Sequence, residues 1–309
     1  MEFREQTWGH LPPMAREIRE SGRAELDGGG EDRPNPDVMN RRRFLTLAAA
    51  VPAATVLPAQ AATASKRKKG VGVVAKADGK WLPVIEKLKA RWFYSWGSNQ
   101  PENVPGNVDF IPMVWGYWGD RAGIAKAGAA AKAAGIRELL GFNEPDQHDQ
   151  SNLTVEKALA TWPELMQTGL RLGSPGCVHP DREWMKAFME GVEKQKLRVD
   201  FVCVHSYGGT DANAFMKRLE SVHKLYQKPL WITEFACGDW EAKSVAQNRH
   251  RPEQVLKFMK EVLPKLEKCP FVERYAWFPA GANSAALGTS ALFDPAGELT
   301  PLGKFYQSV

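Results

Sequence analysis

Gly70-Val-Gly-Val-Val-Ala75 is a short apolar run, and seven more follow it, near residues 91–96, 108–115, 137–143, 170–174, 200–206, 230–235 and 272–278. Runs of this length between polar or turn-forming residues read as strands. The segments between them carry helical signals. Residues 121–134 are dominated by alanine, the strongest helix former. Within 211–226, Phe215, Leu219, Val222 and Tyr226 recur at helical spacing. Within 252–268, Pro252 suits a first helical turn, and Val255, Met259, Val262, Leu263 and Leu266 form one stripe. A helix after residue 154 is expected to be kinked or split at Pro163.

Strands alternating with helices predict a parallel sheet. Eight strand–helix units in the last 240 residues average 30 residues each, which is the arithmetic of a (β/α)8 barrel. The expected class is α/β, a (β/α)8 TIM barrel forming a single domain over residues 65–309. A doubly wound sheet has no need of eight equal repeats. Lys76-Ala-Asp-Gly79, after the first strand, does not match a dinucleotide fingerprint, and no cofactor is expected.

The residues ahead of the barrel read as an address. Arg41 and Arg42 precede Phe44-Leu45, an alanine-rich apolar stretch runs to Leu57, and two small-x-small sites follow, Ala59-Gln-Ala61 and Ala62-Thr-Ala64. That order predicts a twin-arginine-type signal peptide over residues 39–64 and an exported protein, periplasmic or extracellular. The stretch is too short to span a ~30 Å hydrocarbon layer, so no stable membrane insertion is expected after cleavage. Residues 1–38 show no periodicity and are expected to be disordered or not translated, with Met39 as an alternative start. Lys66-Arg-Lys-Lys69 would head the mature chain as a solvated tail.

Composition excludes several classes. With 43% hydrophobic and 25% charged residues the chain is an ordinary globular protein rather than a fibrous, disordered or disulfide-scaffold one. The net charge of +5 shrinks to +2 over the last 240 residues, so a basic surface tracking phosphates, and hence nucleic acid, is not expected. Cys177, Cys203, Cys237 and Cys269 have no metal or redox spacing, and their disulfide state stays open. His148, His179, His223 and His250 also lack metal spacing, and no metal site is expected.

Two glutamates close two of the strands. Glu144 ends Glu138-Leu-Leu-Gly-Phe-Asn-Glu144, before Pro145; Glu234 ends Leu230-Trp-Ile-Thr-Glu234. They lie 90 residues apart, three units of thirty, which puts them on strands four and seven, facing one another across the mouth. Two carboxyls across such a cleft can cleave an acetal, one protonating the leaving oxygen and the other attacking the anomeric carbon or activating water. Taken singly, each has a structural alternative. Glu144 could be a first-turn helix acid, and Glu234 the partner of a buried Arg or Lys. Their matched positions favour catalysis.

Asn143-Glu144-Pro145, His205-x-Tyr207 and Thr233-Glu234-Phe235 resemble the clan A retaining glycoside hydrolases. The wording Leu140-Gly-Phe-Asn-Glu-Pro-Asp146, Val204-His-Ser-Tyr-Gly208, Trp231-Ile-Thr-Glu-Phe-Ala236 and the ending Phe293 to Gly303 is most similar to glycoside hydrolase family 128. The resemblance covers residues 70–309 and implies an enzyme acting on β-1,3-glucan, usually internally. It implies Glu144 as acid/base and Glu234 as nucleophile. It further implies that Asn143 meets the 2-hydroxyl, Tyr207 orients Glu234, His205 lines the same wall and Trp277 stacks on the sugar at the cleavage point. Trp96, Trp115, Trp118 and Trp240 also fall at or past strand ends, where an aromatic ring suits the apolar face of a sugar. Trp81, Trp92, Trp162, Trp184 and Trp231 read as core. The alternatives are a glycanase on another β-glucan or a mannan, and a β-glucan-binding barrel without turnover. A monomer is expected.

Overall fold

The computed structural model describes residues 68–117 and 119–309. The expected leader, residues 39–64, and the segment before it lie outside the described residues, as do Lys66 and Arg67. Eight strands occupy the eight expected places: β1 Lys69–Gly72, β2 Trp92–Tyr94, β3 Asp109–Phe110, β4 Glu138–Leu139, β5 Arg171–Leu172, β6 Val202–Gly208, β7 Leu230–Cys237 and β8 Val272–Trp277. All ladders between them are parallel. Six form one sheet in the order β3-β2-β1-β8-β7-β6, and β4 pairs with β5. Isolated parallel bridges, Met113 to Leu140 on one side and Gly173 to Phe201 and Cys177 to Val204 on the other, join that pair to both edges of the six. The strands therefore run in a ring, with its two thinnest seams on either side of β4-β5.

The helices are α1 Trp81–Leu88, α2 Arg121–Ala133, α3 Val155–Gln167, α4 Glu183–Lys194, α5 Ala212–Tyr226, α6 Pro252–Lys268 and α7 Pro301–Ser308. Their starts are chemically marked. Thr154 accepts from the Lys157 amide, Asp211 from those of Asn213 and Ala214, and Thr300 from that of Gly303. Pro163 lies inside α3 without splitting it, although its ring removes one intrahelical bond and crowds the carbonyl four residues back. One expected unit has no helix. Residues 95–108, between β2 and β3, contain Gly97, Pro101, Pro105 and Gly106, a density of breakers that leaves only turns.

Side-chain alternation sorts the core into two layers. Trp92, Tyr94, Phe201, Cys203, Trp231 and Ala276 point into the ring. Phe93, Val202, Val204, Ile232, Tyr275 and Trp277 point out against the helices. The rings of Trp92 and Trp96 need the room left by two glycines of β1: a Cβ on Gly70 would come within 2.2 Å of Trp92, and one on Gly72 within 2.8 Å of Trp96. All four cysteines are buried free thiols.

Lys68 and Lys69 correct the expectation of a solvated tail. The Lys68 ammonium donates to the carbonyls of Leu266, Glu267 and Cys269 at the end of α6. That of Lys69 donates to those of Tyr306, Gln307 and Val309 at the end of α7. Helix C-termini present unsatisfied carbonyls and a negative dipole end, which two buried ammonium groups satisfy.

Candidate active site

Strand β4 delivers Asn143 and Glu144 through a backbone held on both sides. The Asn143 amide donates to the Trp115 carbonyl at 2.9 Å and that of Glu144 to Gly176 at 2.8 Å. Glu144 has φ +40°, in the left-handed region that a residue with a Cβ rarely occupies. Such strain costs on the order of 1–3 kcal/mol and collects at functional sites. No helix starts behind it, so the helix-acid alternative falls.

Strand β7 delivers Glu234 by a bulge. Val204 pairs with Ile232 but His205 pairs with Glu234, so Thr233 is an extra residue on β7. With Trp231 facing inward and Ile232 outward, strict alternation would turn Glu234 to the helices. The extra residue restores it to the interior, as bulges beside sites commonly do.

Inside the ring the two carboxylates share a set of neutral donors and one histidine. Tyr207 donates to Glu234 Oε2 at 2.5 Å. Tyr94 and Trp96 donate to Oε1 at 3.0 and 2.8 Å. His205 Nδ1 is 2.7 Å from Glu144 Oε1 and 3.5 Å from Glu234 Oε2. No lysine or arginine pairs with either glutamate among the described residues, so the ion-pair alternative for Glu234 falls too. A carboxylate oxygen of each glutamate and a ring nitrogen of His205 all lie within 4.8 Å of one another, close enough to hold a cation.

Burial holds the Glu144 carboxyl above its ordinary range, opposed by the His205 hydrogen bond and reinforced by the charges of Glu234 and Asp146. Burial alone would lower His205, but the facing Glu234 and Glu144 outweigh it and lift the imidazole to about 9. The two shifts describe one proton held along the Glu144–His205 contact. Desolvation, with the charge of Glu234 added, pushes the Tyr94 and Tyr207 hydroxyls well up, which keeps both as donors.

The site thus brings together Asn143, Glu144, His205, Tyr207 and Glu234. Trp240, 47% exposed, stands beside them, edge-on to Tyr207 with ring centroids 5.6 Å apart. One expected platform is corrected. Trp277 is fully buried, its indole donating to the Ser290 carbonyl and packing on Phe235 and Phe258 in the helix layer. Its neighbour Phe278 has the inward parity and meets both Trp96 and Tyr207 edge-on. Trp115 lies in the same interior cluster as Tyr94 and Trp96, 7% exposed. Trp118 lies outside the described residues. Sequence reasoning missed Tyr94 as a Glu234 donor; its inward parity beside Trp92, two positions before, was the available signal.

Residues 70–306 match the family model described as the glycosyl hydrolase catalytic core. Solved structures with the same fold include a family 128 (subgroup I) endo-β-1,3-glucanase from Amycolatopsis mediterranei in complex with laminaritriose. It is 31% identical, with 78% of this chain and 99% of that chain covered and a TM-score of 0.67. A subgroup II endo-β-1,3-glucanase from Sorangium cellulosum is 28% identical over 78% of this chain and 98% of its own, TM-score 0.63. A subgroup III curdlan-specific exo-β-1,3-glucanase from Blastomyces gilchristii is 27% identical, with the same coverage and a TM-score of 0.61. Alkali-sensitive linkage protein 1 of Schizosaccharomyces pombe is 26% identical over 250 residues, 78% of this chain; the chain spans 44% of that protein's length.

Proposed function

The chain belongs to the glycosyl hydrolase catalytic core family, and on that premise we propose that it is a retaining glycoside hydrolase that cuts β-1,3-glucan internally, with Glu234 as nucleophile and Glu144 as acid/base. The observation that carries the reading is the separation of the carboxylates, an oxygen of each within 4.8 Å of the other. Retaining pairs stand about 5–5.5 Å apart, while inverting pairs need about 6.5–9.5 Å to seat a water between them.

In this reading Glu234 attacks the anomeric carbon while Glu144 gives its proton to the departing glycosidic oxygen. Glu144, now ionised, takes a proton from water, whose oxygen displaces Glu234 and restores both groups. The donors from Tyr94, Trp96 and Tyr207 fix the direction of the Glu234 oxygens, and burial keeps a proton on Glu144 for the first step. The β-1,3-glucan assignment rests on relatives named as β-1,3-glucanases, and internal cleavage on the endo-acting ones among them. Complexes of the Amycolatopsis enzyme with laminarihexaose, and with laminaritriose and laminaribiose, used variants at two different glutamates, which fits a two-carboxylate site.

Digestion of laminarin and curdlan, with the anomer of the first product followed by NMR, tests this. A spread of oligosaccharides released as the β-anomer is expected. Release of glucose alone overturns internal cleavage, the α-anomer overturns retention, and no cleavage of either overturns the substrate. We also propose export by the twin-arginine route: Arg41→Lys/Arg42→Lys should leave the protein unprocessed in the cytoplasm, and normal processing would refute it.

A further inference from the structure

Glu144 is followed by a loop that folds straight back on its own starting point. The Gln147 amide donates to the Glu144 carbonyl at 3.0 Å, that of Gln150 to Gln147 at 3.3 Å, and that of Ser151 to the Asn143 carbonyl at 3.3 Å. Asp146 anchors its outer side, accepting from the amides of Val178 and His179 at 3.2 and 3.1 Å. Left-handed residues bracket it, Glu144 at φ +40° and Asn152 at +47°. The closed loop carries the side chain of Gln150 onto that of Asn143: Asn143 Nδ2 donates to Gln150 Oε1 at 3.2 Å. Asn143 is 4% exposed, and its Oδ1 is buried with no protein partner.

An amide can present either its oxygen or its NH2 to a given side, and its partners decide which. The Gln150 acceptor fixes the NH2 of Asn143 and leaves Oδ1 for something that is not protein. A buried acceptor without a partner is a deficit that a hydroxyl donor arriving with substrate removes. We infer that Gln150 is a positioning residue, which sets the orientation of the Asn143 amide and so readies its oxygen to accept from the 2-hydroxyl of the sugar at the cleavage point. This rests on the glycosidase reading. The 2-hydroxyl contact strengthens in the oxocarbenium-like transition state, so the effect belongs in kcat and not in ground-state affinity.

The test compares wild type, Gln150→Leu and Gln150→Glu on an aryl β-laminaribioside and on its analogue lacking the 2-hydroxyl at the cleavage point. Gln150→Leu should lose about tenfold to a hundredfold in kcat on the hydroxylated substrate, the scale of a small misplacement, with little change in KM. On the deoxy analogue it should match wild type. Gln150→Glu keeps the acceptor and should recover most of the rate. Equal losses on both substrates, or none on the first, overturn the inference. Should wild type cleave neither, the glucanase reading fails separately. The side-chain amide protons of Asn143 then decide the contact by NMR: protection from exchange that Gln150→Leu removes supports it, and unchanged protection overturns it.

Discussion

The two ends of the barrel treat charge in opposite ways. At the end where the strands begin, carboxylates meet arginines. Arg274 reaches Asp109 at 3.0 Å with its guanidinium 4.6 Å from the Trp231 ring and 5.6 Å from that of Trp92. Arg171 reaches Glu273 at 2.7 Å and lies over Phe201, while the Trp231 indole donates to the same Glu273. At the end where the strands finish, two buried carboxylates face each other around one histidine, supported by hydroxyls and an indole. The floor is built for stability and the mouth forgoes some of it, the expected division in this architecture. The contrast can be broken from either end.

The largest effect is expected from Glu234→Gln, which in the proposed mechanism removes the nucleophile and should lower kcat on laminarin by about 10⁴-fold or more. Glu144→Gln should cost about 10²–10⁴-fold and be partly rescued on aryl glucosides whose leaving group needs no proton. A glutamine variant with wild-type turnover removes that residue from the mechanism.

Arg274→Leu makes the opposite change. It removes an ion pair and the cation stacked on two buried indoles, together about 2–4 kcal/mol. The Tm should fall by roughly 5–12 °C with kcat per folded molecule unchanged. Loss of activity at constant Tm would show that the floor is coupled to the mouth.

Much of this contrast was legible in the chain, and its limits have a physical form. Eight apolar runs spaced by thirty residues place the strands, because each strand–helix unit repeats the same geometric task. Glu144 and Glu234 follow from those positions. Parity is harder, since a shift of one residue turns a side chain to the other face. Trp277 and Phe278 are neighbours at the end of β8, and only a pattern anchored by Arg274 and Ala276 inside the ring tells which of them faces in. The bulge at Thr233 is invisible to a period-two reading and would have reversed the facing of Glu234. Lys68 and Lys69 look like a solvated basic tail because their carbonyl partners lie at the far end of the chain.

Trp240, 47% exposed and edge-on to Tyr207, is the aromatic ring that the mouth keeps in the open. Trp240→Ala should raise KM for laminari-oligosaccharides by about twofold to tenfold, the worth of one aromatic contact. A half-exposed ring should change stability by no more than about 0.5 kcal/mol. Unchanged KM values along a series of chain lengths would remove Trp240 from the binding surface.

Smaller shifts are expected in the pH dependence. His205 titrates at about 9 in the fold against an ordinary 6.5. The stability it contributes is therefore complete below pH 6.5 and lost as pH rises through 9. The raised Glu144 acts in the same direction. Tm should decline across that window in wild type and flatten in His205→Gln. In activity, the His205 hydrogen bond lowers Glu144, so removing it should move the alkaline limb of kcat/KM to higher pH. Movement to lower pH would mean that His205 does not act on Glu144 through charge.

The smallest expected effect is that of a chelator. Glu144, His205 and Glu234 could surround a cation, and the proposed mechanism predicts that none is needed. A divalent ion requires an unprotonated His205 nitrogen and ionised carboxylates. Binding would expel the proton held along the 2.7 Å Glu144–His205 contact, which is the proton the leaving group must receive. It would also compete with the three donors already directed at Glu234. EDTA should therefore leave kcat/KM unchanged. Added Zn²⁺ should inhibit, and more strongly as pH rises and the competing proton becomes easier to displace. Activity lost to EDTA and restored by one metal would instead make this cluster a metal centre, and the assignment of Glu144 as a protonated acid would fall with it.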